Sequence, residues 1–317
     1  MIDRQCARLL ENAQGILMEI LASESDPVRI GRKYTARLMD TFLGERANGV
    51  ETRDFRIPTG YSEVPARFYR GSHVAAEADS KAKLVLFFHG GGWSVGDMDS
   101  YDGFVQRLSA ETGAHYLSVD FRRAPEHKFP AAHEDCYQAA LWAFENSDAL
   151  GVDPERIGAM GDSAGAALAT AVSWQIARQT DYRVNALYLL YPFLDLRDDH
   201  EAYASRITFG DGNYLVGRAG LTAAKQWYLD DDTPTEDPLV SPMFIPDLES
   251  LPPTTIITSG HDPNLDEGRL FAEKLRESGV RVSATHFASA FHGFMPFGVL
   301  DVAGDSIRAL AKAIAEQ

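Results

Sequence analysis

From about residue 84 to the C-terminus, short apolar runs alternate with longer stretches whose apolar residues recur at helical spacing. KLVLFFHG (83–90) is continuously apolar, as expected of a strand buried on both faces of a sheet. AHYLSVDF (114–121), ERIGAMG (155–161), NALYLLYP (185–192) and PTTIITSG (253–260) read as further strands, the third weakened by Gly158. VRVSATHF (280–287) alternates weakly, which suits a sheet edge. Helical spacing fills the intervals at about 100–112, 130–147, 164–179, 266–278 and 302–315. Strand-helix alternation of this kind predicts an α/β fold built on a mainly parallel, doubly wound sheet.

Two regions depart from the alternation. Residues 1–45 read as amphipathic helices, with Leu9, Leu10, Ala13, Leu17, Ile20 and Leu21 on one face and a second segment over 29–42 that stops at Gly44. ETRDFRIP (51–58) and ARFYR (66–70) follow as short strands around a glycine-containing turn, and 71–83 reads as a polar, alanine-rich loop. Residues 193–250 separate two strands by more than one crossover helix needs. They read as an insertion folded over the carboxyl edge of the sheet together with the N-terminal helices. The expected organisation is therefore a helical lid segment at 1–45, an α/β body at 46–192 and 251–317, and a lid insertion at 193–250.

Composition narrows the functional classes. With 317 residues, 45% hydrophobic and 24% charged, the chain buries a sizeable core. A formal net charge of −16 repels nucleic acid and anionic membranes, so neither is an expected partner. Two cysteines, Cys6 and Cys136, make no disulfide framework and no zinc site. The N-terminal stretch lacks the uninterrupted apolar core of a signal peptide, and no run reaches the ~18 apolar residues of a membrane span. The expected location is cytoplasmic.

In such sheets, binding sites lie beyond the carboxyl ends of the strands. After IGAM comes Gly161-Asp162-Ser163-Ala164-Gly165 and then a helix, the strand-turn-helix setting of a nucleophile elbow. A helix N-cap serine is the plain alternative. After LVLFF comes His89-Gly90-Gly91-Gly92-Trp93, whose glycines free backbone N–H groups to point into a cavity, as an oxyanion hole requires. It lacks the lysine and the glycine spacing of a phosphate loop. His89 has no partner at metal-ligand spacing, and its expected task is to hold the loop's own backbone. Asp262, after PTTIITSG, can orient a histidine, whereas Asp266 and Glu267 read as the first turn of the next helix. His292 lies in a glycine-flanked loop after the last strand, while His286 sits inside that strand and His261 adjoins the acid. The order Ser163, Asp262, His292 is the one this fold uses, with serine as nucleophile, histidine as base and aspartate as its orienter. Asp162 has no task that the sequence discloses.

With these residues assembled, the chain resembles the hormone-sensitive-lipase-like group of α/β-hydrolases, near bacterial acetyl esterases. The resemblance runs from about residue 80 to the end, on HGGGW, RRAPEHKFPAAHED (122–135), GDSAGA, DPNLDEG (262–268) and FHGF (291–294). It departs from the group's pattern at Phe121, where tyrosine is usual, and at Arg123 and Asn264, where leucine is usual. The resemblance implies an α/β-hydrolase catalytic domain with an oxyanion hole of the amides of Gly91, Gly92 and Ala164. It implies short-chain acyl esters as substrates, no metal or organic cofactor, and a homodimer paired along an edge strand, here 280–287. Trp93, Phe209, Tyr214 and Phe294 are the expected apolar walls of the substrate pocket. An amidase or aryl-formamidase with the same triad is the nearest alternative activity, and a small-molecule-binding protein on a hydrolase scaffold is the alternative from another class.

Overall fold

The computed structural model describes residues 1–60, 62–71 and 82–317. Most of the loop expected at 71–83 lies outside the described residues. The chain opens with α1 (Arg4–Leu21), whose Asp3 side chain accepts the N–H groups of Gln5 and Cys6, and α2 (Pro27–Phe42), capped by Asp26 with Pro27 in its first turn. A hairpin of β1 (Glu51–Pro58) and β2 (Glu63–Arg70) follows. Then come β3 (Ala82–Phe88), α3 (Met98–Thr112), β4 (His115–Val119), α4 (Ala131–Glu145) and α5 (Ser147–Leu150). The second half holds β5 (Val152–Asp162), α6 (Ala164–Gln179), β6 (Leu187–Leu190), α7 (Ala204–Thr208), α8 (Arg218–Tyr228), β7 (Thr254–His261), α9 (Leu265–Glu277), β8 (Val282–Phe291) and α10 (Asp301–Ala315).

The eight strands form one sheet in the order β1-β2-β4-β3-β5-β6-β7-β8. β1, β2 and β4 pair antiparallel, and every pairing from β4 through β3 to β8 is parallel. The anticipated edge strand is indeed β8, and it runs on to Phe291, which delivers His292 directly from its end. Gly158 does not interrupt β5: it pairs with Val85 of β3, and Ala186 and Tyr188 pack where its side chain would stand. The helix expected over 130–147 ends at Glu145, and a separate short turn begins at Ser147.

Each face of the sheet carries its own apolar core. One core packs α4, α6, α8 and α9 against the sheet. The other packs α1, α2, α3 and α10 on the opposite face. Cys6 and Cys136 are both free and buried, in different cores. The buried face of α1 is rotated from the expected one. Ile16 is inside, Leu17 is half-buried and Leu21 is 47% exposed, since the helix meets the body along Cys6, Leu9, Leu10, Ala13, Ile16 and Ile20. Among the described residues no helix is long and apolar enough to cross a membrane.

One buried acid ties the start of residues 193–250 to the body. Glu267, in the first turn of α9, accepts the N–H groups of Leu194 and Asp195 on one oxygen at 2.7 and 3.0 Å. Its other oxygen accepts Arg206 Nη2 at 2.7 Å and Nε at 3.1 Å. Burial pushes Glu267 up to about 7, against the opposing pull of the Arg206 charge. Asp266 and Pro263 hold Ser205 from the same turn. The acidic tail of DPNLDEG thus anchors the inserted segment. Removing one partner of a fully buried pair strands the other charge, so Glu267→Ala is expected to destabilise the fold by about 3–5 kcal/mol. Urea denaturation checks this, and a loss below about 1 kcal/mol, the range of exposed pairs, would contradict it.

Candidate active site

The turn between β5 and α6 places Ser163 at φ 53° and ψ −117°, a conformation that side-chain-bearing residues rarely adopt. It persists because the surrounding backbone leaves no alternative path. A Cβ on Gly161 would lie 2.1 Å from the Gly165 carbonyl, and one on Gly165 would lie 1.9 Å from the Phe88 oxygen. Ser163 N–H donates to Leu190, and its carbonyl accepts from Ala166 and Phe193. Its side chain caps nothing on α6, which sets aside the N-cap alternative. Instead Oγ lies 2.8 Å from His292 Nε2.

His292 Nδ1 lies 2.9 Å from Asp262 Oδ1, and both residues are buried. A carboxylate only accepts, so Nδ1 carries the proton and Nε2 is the acceptor that faces Ser163. Asp262 is held in turn by Ser259 Oγ at 2.8 Å and by the N–H of Asn264 at 2.7 Å. Burial by itself would lower the pKa of His292. The charge and hydrogen bond of Asp262 outweigh that effect, and the net direction is upward. His261 packs against Phe209 and Tyr214, and His286 bonds to Thr258 at an exposed position of β8, so neither approaches Ser163.

The glycine loop after β3 turns back on itself. Gly91 and Gly92 have φ of 106° and 57°, and the Gly91 carbonyl accepts from Ser94 and Val95. A Cβ on Gly91 would lie 2.2 Å from the Val95 oxygen, so glycine is required there. Neither Gly91 nor Gly92 gives its N–H to an acceptor among the described residues. Ala164 is the first residue of α6, where an amide has no intrahelical partner. His89 bonds the Gly90 carbonyl through Nδ1 at 2.8 Å, the structural task expected of it.

Asp162 is the residue whose task the sequence concealed. It is buried beside the nucleophile, with Oδ1 accepting Gly90 N–H at 2.7 Å and Oδ2 accepting Tyr101 Oη–H at 3.1 Å. Burial pushes its carboxyl up to about 6. The available signal was a carboxylate in an otherwise apolar strand end, a position that demands partners.

A cavity of ≈ 470 Å³ opens over Ser163 and His292. The four expected wall residues do not line it. Trp93 is buried under the glycine loop at φ 57°, stacked on Tyr228 at 4.4 Å. Phe294 is wholly buried against Tyr191 and Phe287. Phe209 and Tyr214 pack on each other and on His261 and are not part of the cavity's lining. The apolar walls come instead from Tyr34, Leu38 and Met39 of α2, Val95, Phe193, Leu215 and Val216, Leu221, Ala224 and Trp227 of α8, and Phe297. Arg32 ties α2 to the glycine loop: Nε donates to the Ser94 carbonyl at 2.9 Å, Nη2 to the Ala124 carbonyl at 3.1 Å, and both terminal nitrogens to Glu126.

The three departures from the expected pattern have distinct outcomes. Phe121 stacks on His89 at 4.3 Å. Arg123 donates to the Gly96 carbonyl at 2.7 Å and so braces the same loop. Asn264 is buried with its side-chain amide unpartnered among the described residues, and nothing in the structure explains its polarity. Among the described residues no cluster of three or more His, Cys, Asp or Glu side chains is arranged to hold a metal ion.

Comparison with known proteins places the chain in a family. Residues 85–296 match a family described as having the alpha/beta hydrolase fold. The chain is 36% identical over 273 residues to the carboxylic ester hydrolase LipN of Mycobacterium tuberculosis, covering 85% of this chain and 71% of that one. It is 34% identical to an arylesterase of Saccharolobus solfataricus, covering 77% of each. Among solved structures, an esterase from Pyrobaculum calidifontis superposes with a TM-score of 0.87 at 30% identity, over 100% of this chain and 99% of that one. By these matches, along most of its length, the chain belongs to the α/β-hydrolase family, in the hormone-sensitive-lipase-like branch of carboxylic ester hydrolases.

Proposed function

We propose that this carboxylic ester hydrolase works through an acyl-enzyme on Ser163, with short-chain acyl esters as substrates. The observation that carries the reading is the unbroken relay from Ser163 Oγ to His292 Nε2 at 2.8 Å and from His292 Nδ1 to Asp262 Oδ1 at 2.9 Å, set on a strained turn. Ser163 attacks the ester carbonyl as His292 takes its proton, and Asp262 holds the imidazole and stabilises its charged form. The N–H groups of Gly91, Gly92 and Ala164 receive the developing oxyanion. His292 then protonates the departing alcohol, and a water that it activates releases the acid.

The cavity supports the substrate class. A space of ≈ 470 Å³ with largely apolar walls and, among the described residues, no Lys or Arg in its lining suits a small, uncharged ester. α2 and the segment 193–250 serve as its cover, since both contribute walls. The amidase alternative draws no support from the relatives, which are named for ester hydrolysis. A binding-only role leaves the aligned relay without a purpose.

Ser163→Ala is expected to lower kcat on p-nitrophenyl acetate by about 10⁵-fold or more while thermal unfolding stays near that of the parent. Activity within ten-fold of the parent would refute the assignment. Because His292 must be neutral to act as base and its pKa is raised, kcat/KM should fall on acidification from a pH above the ordinary histidine value of about 6.5. A flat profile down to pH 5 with the fold intact would exclude a histidine base. Across p-nitrophenyl esters from acetyl to palmitoyl, rates should peak at four carbons or fewer and drop by about 100-fold at the long end. A maximum at palmitoyl would remove the short-chain reading.

A further inference from the structure

Asp162 lies between the nucleophile's strand and the glycine loop, and it is 2% exposed. It lines the same cavity as Ser163 and His292, as does Tyr101 from α3. Its two oxygens do different work. Oδ1 takes the N–H of Gly90, immediately before the two amides assigned to the oxyanion. Oδ2 is held by Tyr101, so the carboxylate cannot swing away from the site. Close packing completes the junction, since a Cβ on Gly90 would lie 2.6 Å from Oδ2 and 2.8 Å from the Asp162 carbonyl oxygen.

We propose that Asp162 is a positioning residue for ester hydrolysis: its carboxylate clamps the glycine loop beside Ser163, and its negative charge supports the imidazolium that forms on His292. The inference rests on the relay proposed above. An acid buried next to a nucleophile is an unusual choice for a purely structural clamp. An asparagine offers Gly90 the same oxygen without the cost of desolvating a charge. What the carboxylate adds is a second acceptor, which Tyr101 uses, and a charge, and in a water-poor site charge acts over several ångströms.

The groups around His292 identify which acid is available for this role. Asp262, just after β7, is its direct partner, and the charges of Asp162 at the end of β5 and of Glu267 in α9 also favour its protonated form. The Tyr191 ring packs edge-on against the imidazole at 5.2 Å. Glu267 is already committed to Arg206 and to two backbone N–H groups, which dilutes its field at His292. Asp162 has no cationic partner among the described residues; its hydrogen-bond donors there are the Gly90 amide and the Tyr101 hydroxyl. His292 and Asp162 accordingly stabilise each other's charged forms.

The test is Asp162→Asn, which keeps the shape and the oxygen for Gly90 but removes the charge. On p-nitrophenyl acetate, kcat should fall about ten-fold with KM within about three-fold, the size expected of one charge acting through partly buried protein. The acid limb of the pH profile should move to lower pH by up to about one unit, because the imidazolium loses support. A variant that only loosened the fold would lower activity without moving the limb in that direction. Should Asp162→Asn fail to fold, Tyr101→Phe carries the test. It removes one of two donors holding the carboxylate, so the carboxylate keeps its charge less well, and the same shift should appear at smaller size. An unchanged kcat and limb in whichever variant folds overturns the inference. Ser163→Ala, assayed in parallel, separates the two readings: if it is inactive and Asp162→Asn matches the parent, only the role of Asp162 falls; if it is active, both fall.

Discussion

The close approach of α6 to the end of β3 is the contact on which the site depends. At Gly165 the first turn of the helix sits so near the Phe88 carbonyl that no side chain fits between them. That proximity forces the chain to reverse within one residue, which puts Ser163 in a strained conformation with its side chain projecting from the turn. It also brings the glycine loop that leaves β3 alongside the nucleophile. Spacing the two elements farther apart would relieve the strain and separate the serine from the amides at once.

Three buried acids then divide the labour around this contact. Asp262 orients His292, and Asp162 joins the glycine loop to the elbow. Glu267 secures the inserted segment through Arg206 and two backbone amides. Each is costly to bury, and each is surrounded by donors that offset the cost. The surface acidity behind the net charge of −16 is a separate matter of solubility and of which partners are repelled.

The cavity has a different origin. Its floor comes from strand ends, but much of its wall comes from α2 and α8, far apart in sequence and brought together over the sheet. Arg32 links one wall to the loop that carries the proposed oxyanion donors, so the cover and the reacting centre share a joint. The anticipated wall residues failed for one reason. Being large and aromatic near the site marks a residue for burial as readily as for contact with a ligand. Trp93 and Phe294 went into the cores, and Phe209 and Tyr214 formed a cluster with His261.

The sequence alone was enough to read the strand-helix alternation and the edge position of the last strand, and it singled out Ser163, Asp262 and His292, which the structure brings within hydrogen-bond distance of one another. These are local signals: an apolar run, a glycine pair around a serine, a polar residue where a strand stops. Even the first-turn character of Asp266 and Glu267 was legible, because helix starts carry their own chemistry. Only the tertiary structure decided the task of Asp162, the anchoring by Glu267 and Arg206, the rotated face of α1 and the walls of the cavity. Each of these depends on which distant side chain or amide arrives opposite a residue. That pairing is set by the packing of layers and leaves no periodic trace along the chain.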